Sequence, residues 1–134
     1  MKKTIVLIIV LLAYNSCNEN TLEVGENQSP IILSLTVFPD VIGPLDSAIV
    51  VCNAMDPDGD TLVFDWTTDG KSRIKGTTYP DWTIFNTYEN WCVVYPKNLN
   101  NVLKDTCIIQ VFARDRKGKS DVQLVSYILI RDTI

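Results

Sequence analysis

Ala54-Met55-Asp56-Pro57-Asp58-Gly59-Asp60-Thr61-Leu62-Val63-Phe64-Asp65-Trp66 reads as a strand end, a tight turn and a second strand. Three carboxylates with a proline and a glycine form the punctuation. Proline presets one backbone angle, aspartate side chains accept nearby amide protons, and glycine admits positive φ. Upstream, Ala48, Val50, Cys52 and Ala54 recur at every second position, and downstream Leu62, Phe64 and Trp66 do the same. A period of two puts each set on one face of its strand, as a sheet with one buried side requires.

Working outward, the same texture continues. Apolar runs at 31–37, 48–54, 61–66, 91–95, 106–113 and 122–130 are separated by Pro39-Asp40, Gly43-Pro44, Asp69-Gly70, Pro96 and Asp115 to Gly118. Cys107, Ile109, Val111 and Ala113 share a face, with Gln110 and Arg114 opposite. No run carries a helical period. Six or seven short strands with turn signals between them predict an all-β antiparallel sandwich. A chain of 134 residues with 46% apolar content has room for one such domain with a true core.

Composition removes whole classes of function. The formal charge is −4, and the chain has no histidine. An acidic chain lacks the basic footprint of a phosphate-backbone binder, so no nucleic acid is expected as partner. His-based triads and His metal sites are excluded outright. Gly70-Lys71-Ser72 and Gly118-Lys119-Ser120 lack the upstream glycine of a phosphate loop and read as hairpin turns. The carboxylate clusters lie in turns or near the N-terminus, with no apolar pocket evident to tune them, so the chain reads as non-catalytic.

The N-terminus sets the expected compartment. Met1-Lys2-Lys3 precedes an unbroken apolar run at 5–13. That run is too short to cross a bilayer as a helix, which takes about 20 residues, and it matches the core of an export signal. Leu12-Ala13-Tyr14-Asn15-Ser16-Cys17 resembles a bacterial lipoprotein signal, in which a small residue precedes the cysteine that receives lipid. The resemblance implies removal of residues 1–16, acylation of Cys17, a flexible acidic tether at 17–29 and a domain at 30–134. It places the protein in the bacterial cell envelope as an outer membrane lipoprotein, periplasmic or surface-facing, with the membrane as one partner.

The turn segment 54–66 also carries a family resemblance. It is similar to the strand B to strand C region of bacterial PKD-like and cadherin-like modules of Ig fold. Val111-Phe112-Ala113-Arg114-Asp115-Arg116-Lys117-Gly118-Lys119-Ser120-Asp121 is similar to their F–G hairpin, and Tyr95-Pro96 to their strand E exit. The resemblance implies an Ig-like sandwich of about seven strands. It also implies a disulfide between Cys52 in strand B and Cys107 in strand F, packed on Trp66 as in immunoglobulin domains. Pairing of Cys92 with Cys107, or no pairing at all, are the alternatives, and Cys92 is the expected orphan.

Two stretches bear on ligands. Asp56, Asp58 and Asp60 offer oxygen density suited to a weak calcium site, or they organise a tight turn with no cofactor at all. Aromatic residues crowd 79–95: Tyr79, Trp82, Tyr88 and Trp91 form a candidate binding platform, or the rings cover a sheet edge. The expectation is therefore a non-catalytic, lipid-anchored binding or spacer module that meets an envelope protein. The alternative is a carbohydrate-binding accessory lipoprotein that takes a glycan on the aromatic stretch.

Overall fold

The computed structural model describes residues 25–76, 84–97 and 104–130. Cys17, the expected signal at 1–16, the expected tether up to residue 24, Tyr79 and Trp82 lie outside the described residues. The described chain contains nine strands: β1 (Ile31–Phe38), β2 (Val41–Ile42), β3 (Ala48–Met55), β4 (Val63–Thr68), β5 (Ser72–Ile74), β6 (Phe85–Thr87), β7 (Trp91–Pro96), β8 (Lys104–Arg114) and β9 (Ser120–Ile130). They form a four-stranded sheet in the order β1-β3-β7-β5 and a five-stranded sheet in the order β2-β9-β8-β4-β6. This is an all-β sandwich.

The alternation seen in the sequence becomes the core. Ala48, Val50, Cys52, Phe64, Trp66, Cys107, Ile109, Val111 and Ala113 are all buried between the sheets. Trp66 is fully enclosed, and Phe64 on the same strand stacks on it at 6.3 Å between ring centroids. Pairs of this kind contribute about 0.5–1.5 kcal/mol beyond the area they bury.

The strand count exceeds the expected seven because three strands carry no pattern. β2, β5 and β6 have only two or three residues each, too short for a period to show. β2 pairs in parallel with β9 through Val41 opposite Ile128, so the chain leaving β1 crosses to the other sheet. β5 joins the four-stranded sheet beside β7, and β6 returns to the edge of the other sheet beside β4.

One polar cluster is sealed in the core. The Ser72 hydroxyl and the Tyr127 hydroxyl lie 2.7 Å apart, with the Cys107 thiol beside both. Burial holds the Tyr127 phenol well above its usual range. A buried charge faces outward: Asp65 is covered by Arg114, which donates to one carboxylate oxygen, and by Asn86, whose amide donates to the other at 2.7 Å. Asn86 sits directly opposite Asp65 in the β4–β6 register. The ion pair and the amide together satisfy a carboxylate that would otherwise be costly to bury.

The cysteines depart from expectation. Among the described residues Cys52, Cys92 and Cys107 are free thiols, and all three are buried. The Cys52–Cys107 bridge is absent because the two residues lie toward opposite ends of the core. Cys52 has Asp121 as its charged neighbour, and Asp121 pairs with Ala113. Cys107 sits with Ser72 and Tyr127, near Asp69 and Asp105. The stretch of β8 from 107 to 113 spans about 20 Å at the rise of an antiparallel strand, whereas a disulfide needs Cα atoms within about 7 Å. Cys92 also faces inward, opposite Val50. Burial pushes the Cys52 thiol up to about 11 and the Cys92 thiol up to about 12. Reactivity belongs to the thiolate. The native protein should therefore resist alkylation at all three positions, and unfolding without reductant should expose three reactive thiols there. Peptide mapping that finds a linked pair would contradict the structure.

Candidate functional site

Two turns at one end of the sandwich are built by the same device. In the β3–β4 turn, Asp56 Oδ1 accepts the amides of Asp58 and Asp60 at 2.9 and 3.2 Å, and Gly59 has φ +77°. In the β8–β9 turn, Asp115 Oδ1 accepts the amides of Lys117 and Lys119, both at 2.8 Å, and Gly118 has φ +95°. Each aspartate bonds the amides two and four residues on, and each glycine three residues on takes the left-handed conformation. That is the turn chemistry of Asp-x-x-Gly.

The turns meet. Asp56, Asp60 and Asp115 bring one carboxylate oxygen each within 4.8 Å of the others. Asp58, one of the three sequence candidates, is not among them. Its carboxylate turns away and accepts both the amide and the side chain of Gln28, at 2.6 and 3.2 Å. Asp115 takes its place, although the two turns are far apart in the chain. Nearby, the Lys117 ammonium lies 2.8 Å from Asp60, and Asn27 donates to Asp115 Oδ2 at 2.7 Å. Burial of Asp115 works against its charge, but the Asn27 amide and the turn's backbone N–H groups outweigh it and hold the carboxyl below the usual range. The repeated Asp-x-x-Gly pattern was the sequence signal for Asp115, whereas Asn27 had none.

The aromatic candidates separate as well. Tyr88 is exposed and receives a hydrogen bond from Arg116 at 3.0 Å, with the guanidinium 5.6 Å from the ring centroid. It therefore ties the β6–β7 turn to the β8–β9 turn. Trp91, 46% exposed, borders a cleft of about 150 Å³ lined by Lys75, Phe85, Thr87, Glu89, Cys92 and Val93. The cleft opens where β5 ends: β5 pairs with Pro96, Tyr95 and Val94 of β7, and the Lys75 amide adds a last bond to the Val93 carbonyl at 2.8 Å. Phe85, half-buried, packs against the core, which is the edge-covering role open to this stretch.

Comparison with known proteins adds little to this geometry. No family model and no curated protein matches the chain. Among solved structures, it is similar to a nucleoside hydrolase-related hypothetical protein from Saccharophagus degradans that is associated with carbohydrate metabolism, with a TM-score of 0.45 and 16% identity. The match covers 79% of this chain and 26% of that one. A likeness at this level carries no argument about activity or ligand.

The outer face of the four-stranded sheet is the remaining surface of note. Phe38, 79% exposed, pairs with Ile49, and Val51 pairs with both Thr36 and Trp91. Val51, Ile49 and Met55 are exposed too. A sheet turned to water normally alternates apolar inside with polar outside. Here the outward row is largely apolar, which is the kind of patch that marks an interaction surface.

Proposed function

We propose that the protein is a non-catalytic binding or spacer module, held at the bacterial envelope by lipid on Cys17 and meeting an envelope protein through the outer face of its four-stranded sheet. The observation that supports this reading is the exposed apolar patch of two cross-strand pairs, Phe38 with Ile49 and Val51 with Trp91. Two measurements test it. A fatty-acid probe should label the wild-type chain in cells and leave Cys17→Ser unlabelled; an unlabelled wild type removes the anchor. A photo-crosslinking residue at Ile49 should give one discrete adduct in the intact envelope, where the same residue at Lys119 gives none. No adduct at Ile49, or the same adducts at both positions, removes the interaction surface.

The second reading, a carbohydrate-binding accessory role, draws on the cleft beside Trp91. A half-exposed indole with Glu89, Thr87 and Lys75 around it combines a stacking ring with hydrogen-bonding groups. Binding on a glycan panel that is lost in Trp91→Ala would favour this reading over the first.

Calcium, in this proposal, binds weakly or not at all. Backbone amides already occupy one oxygen of both Asp56 and Asp115, and the Lys117 ammonium sits on Asp60. Millimolar Ca²⁺ should therefore move Tm by no more than about 2 °C, judged against the several degrees that 1 kcal/mol of ligand stabilisation produces in a domain of this size. A rise of about 10 °C, abolished in Asp60→Asn but retained in Asp58→Asn, would establish a genuine cation site at the meeting of the two turns.

A further inference from the structure

We infer that residues 27–32 form a latch that locks the N-terminal segment onto the sandwich and so sets the direction in which the domain stands on its tether. Side chains from three separate places in the chain hold this short stretch. The Gln28 amide and side chain both donate to Asp58 of the β3–β4 turn, at 2.6 and 3.2 Å. Asn27 donates to Asp115 of the β8–β9 turn at 2.7 Å. The Ile32 amide donates to Asp121 of β9 at 2.8 Å, and Gln123 of β9 donates back to the Ile32 carbonyl at 3.2 Å. Pro30, between these points, is buried.

The placement gives the latch its consequence. β1 belongs to the four-stranded sheet, whereas Asp121 and Gln123 belong to the five-stranded one. The stretch therefore bridges the two layers at one end of the sandwich. Three aspartates with ready acceptor oxygens receive amide donors there, and charge-assisted bonds of this type are about twice as strong as neutral ones. Asn27 is half-buried, and Gln28, though exposed, places both its backbone and side-chain donors on Asp58. With the latch shut, Asn27 and Gln28 are held at the β3–β4 and β8–β9 turn end, opposite the loop that carries Phe38 and Leu45. The orienting role rests on the anchoring reading above, while the latch itself does not.

Amide hydrogen exchange on the full chain tests the latch, with Asn27→Ala/Asp58→Ala as the variant. Asp58 is exposed and Asn27 half-buried, and Asp115 keeps its turn amides. In the wild type the Gln28 amide should exchange at least about tenfold more slowly than an unprotected amide, and the variant should lose that protection. Ile109 and Val111 amides in the core should exchange alike in both, which separates an open latch from general unfolding. Should the double variant be globally destabilised, the wild-type Gln28 rate alone decides: an unprotected amide overturns the latch. Unchanged protection in a folded variant overturns it too. The same exchange measured on Cys17→Ser keeps the outcomes distinct. Protection retained there, with no fatty-acid labelling of the wild type, leaves the latch standing and removes only its role in orienting an anchored domain.

Discussion

Trp66→Ala should leave the protein largely unfolded at 37 °C. Trp66 is completely buried at the centre of β4, stacked on Phe64 and enclosed by residues of both sheets. Truncating a tryptophan of this kind costs about 3–5 kcal/mol, from lost transfer energy and from the cavity left behind. Domains of this size have about 5–15 kcal/mol in total, and each kcal/mol is worth roughly 4–8 °C of Tm. The expected fall is therefore roughly 12–40 °C by thermal melting. Trp66→Phe should cost distinctly less. The indole N–H has no hydrogen-bond partner in the core, so phenylalanine removes an unpaired buried donor along with the volume. A Trp66→Ala protein that melts within about 5 °C of wild type would contradict the packing described here.

Asp115→Asn should lower Tm at neutral pH and flatten the acid limb of the stability profile. The carboxyl of Asp115 is held below its usual range by Asn27 and by the turn amides, against the opposing effect of its burial. A group whose folded-state pKa is depressed contributes stability above its unfolded pKa and loses it as pH falls through the folded value. Asp105, lowered by its bond to Lys71, acts in the same direction. Tm should thus hold steady from about pH 5 to pH 8, where a chain without histidine has no side chain of ordinary pKa, and fall below about pH 4. In Asp115→Asn the side-chain oxygen can still accept the Lys117 and Lys119 amides. Its NH₂ would then face the NH₂ of Asn27, two donors with no acceptor between them. The gap between wild type and variant should be widest near pH 7 and close toward pH 2, where the wild-type carboxyl is protonated too. A gap that stays constant with pH would mean that the charge of Asp115 plays no part.

The contrast between Asp115 and Asp58 shows where sequence reading reached its limit. Both belong to a turn with a diagnostic glycine, and both turns were legible from Asp-x-x-Gly alone. Which carboxylates converge depends on how β4 and β8 align. Val63 pairs with Arg114, and this brings the end of one turn beside the start of the other. Asp58 is drawn off by Gln28, a residue that sequence alone assigned to a flexible tether. Its polar composition carried no sign that aspartates from elsewhere in the chain would hold it.

The amino-acid sequence by itself determined the alternation of the long strands, the positions of their turns and the residues that line the core, because period-two patterning and turn chemistry act over neighbouring residues. Trp66, Val111 and Cys107 were legible as core residues on those grounds. Tertiary structure alone decided how far each strand slides against its partner. That offset arises from packing summed over both sheets, and it sets Cys52 and Cys107 toward opposite ends of the core although each occupies an inward position on its strand. It also decided that β5 stops short along β7 and leaves the Trp91 cleft open. Local residue patterns say which side of a strand is buried; only the assembled sheets fix what lies across from it.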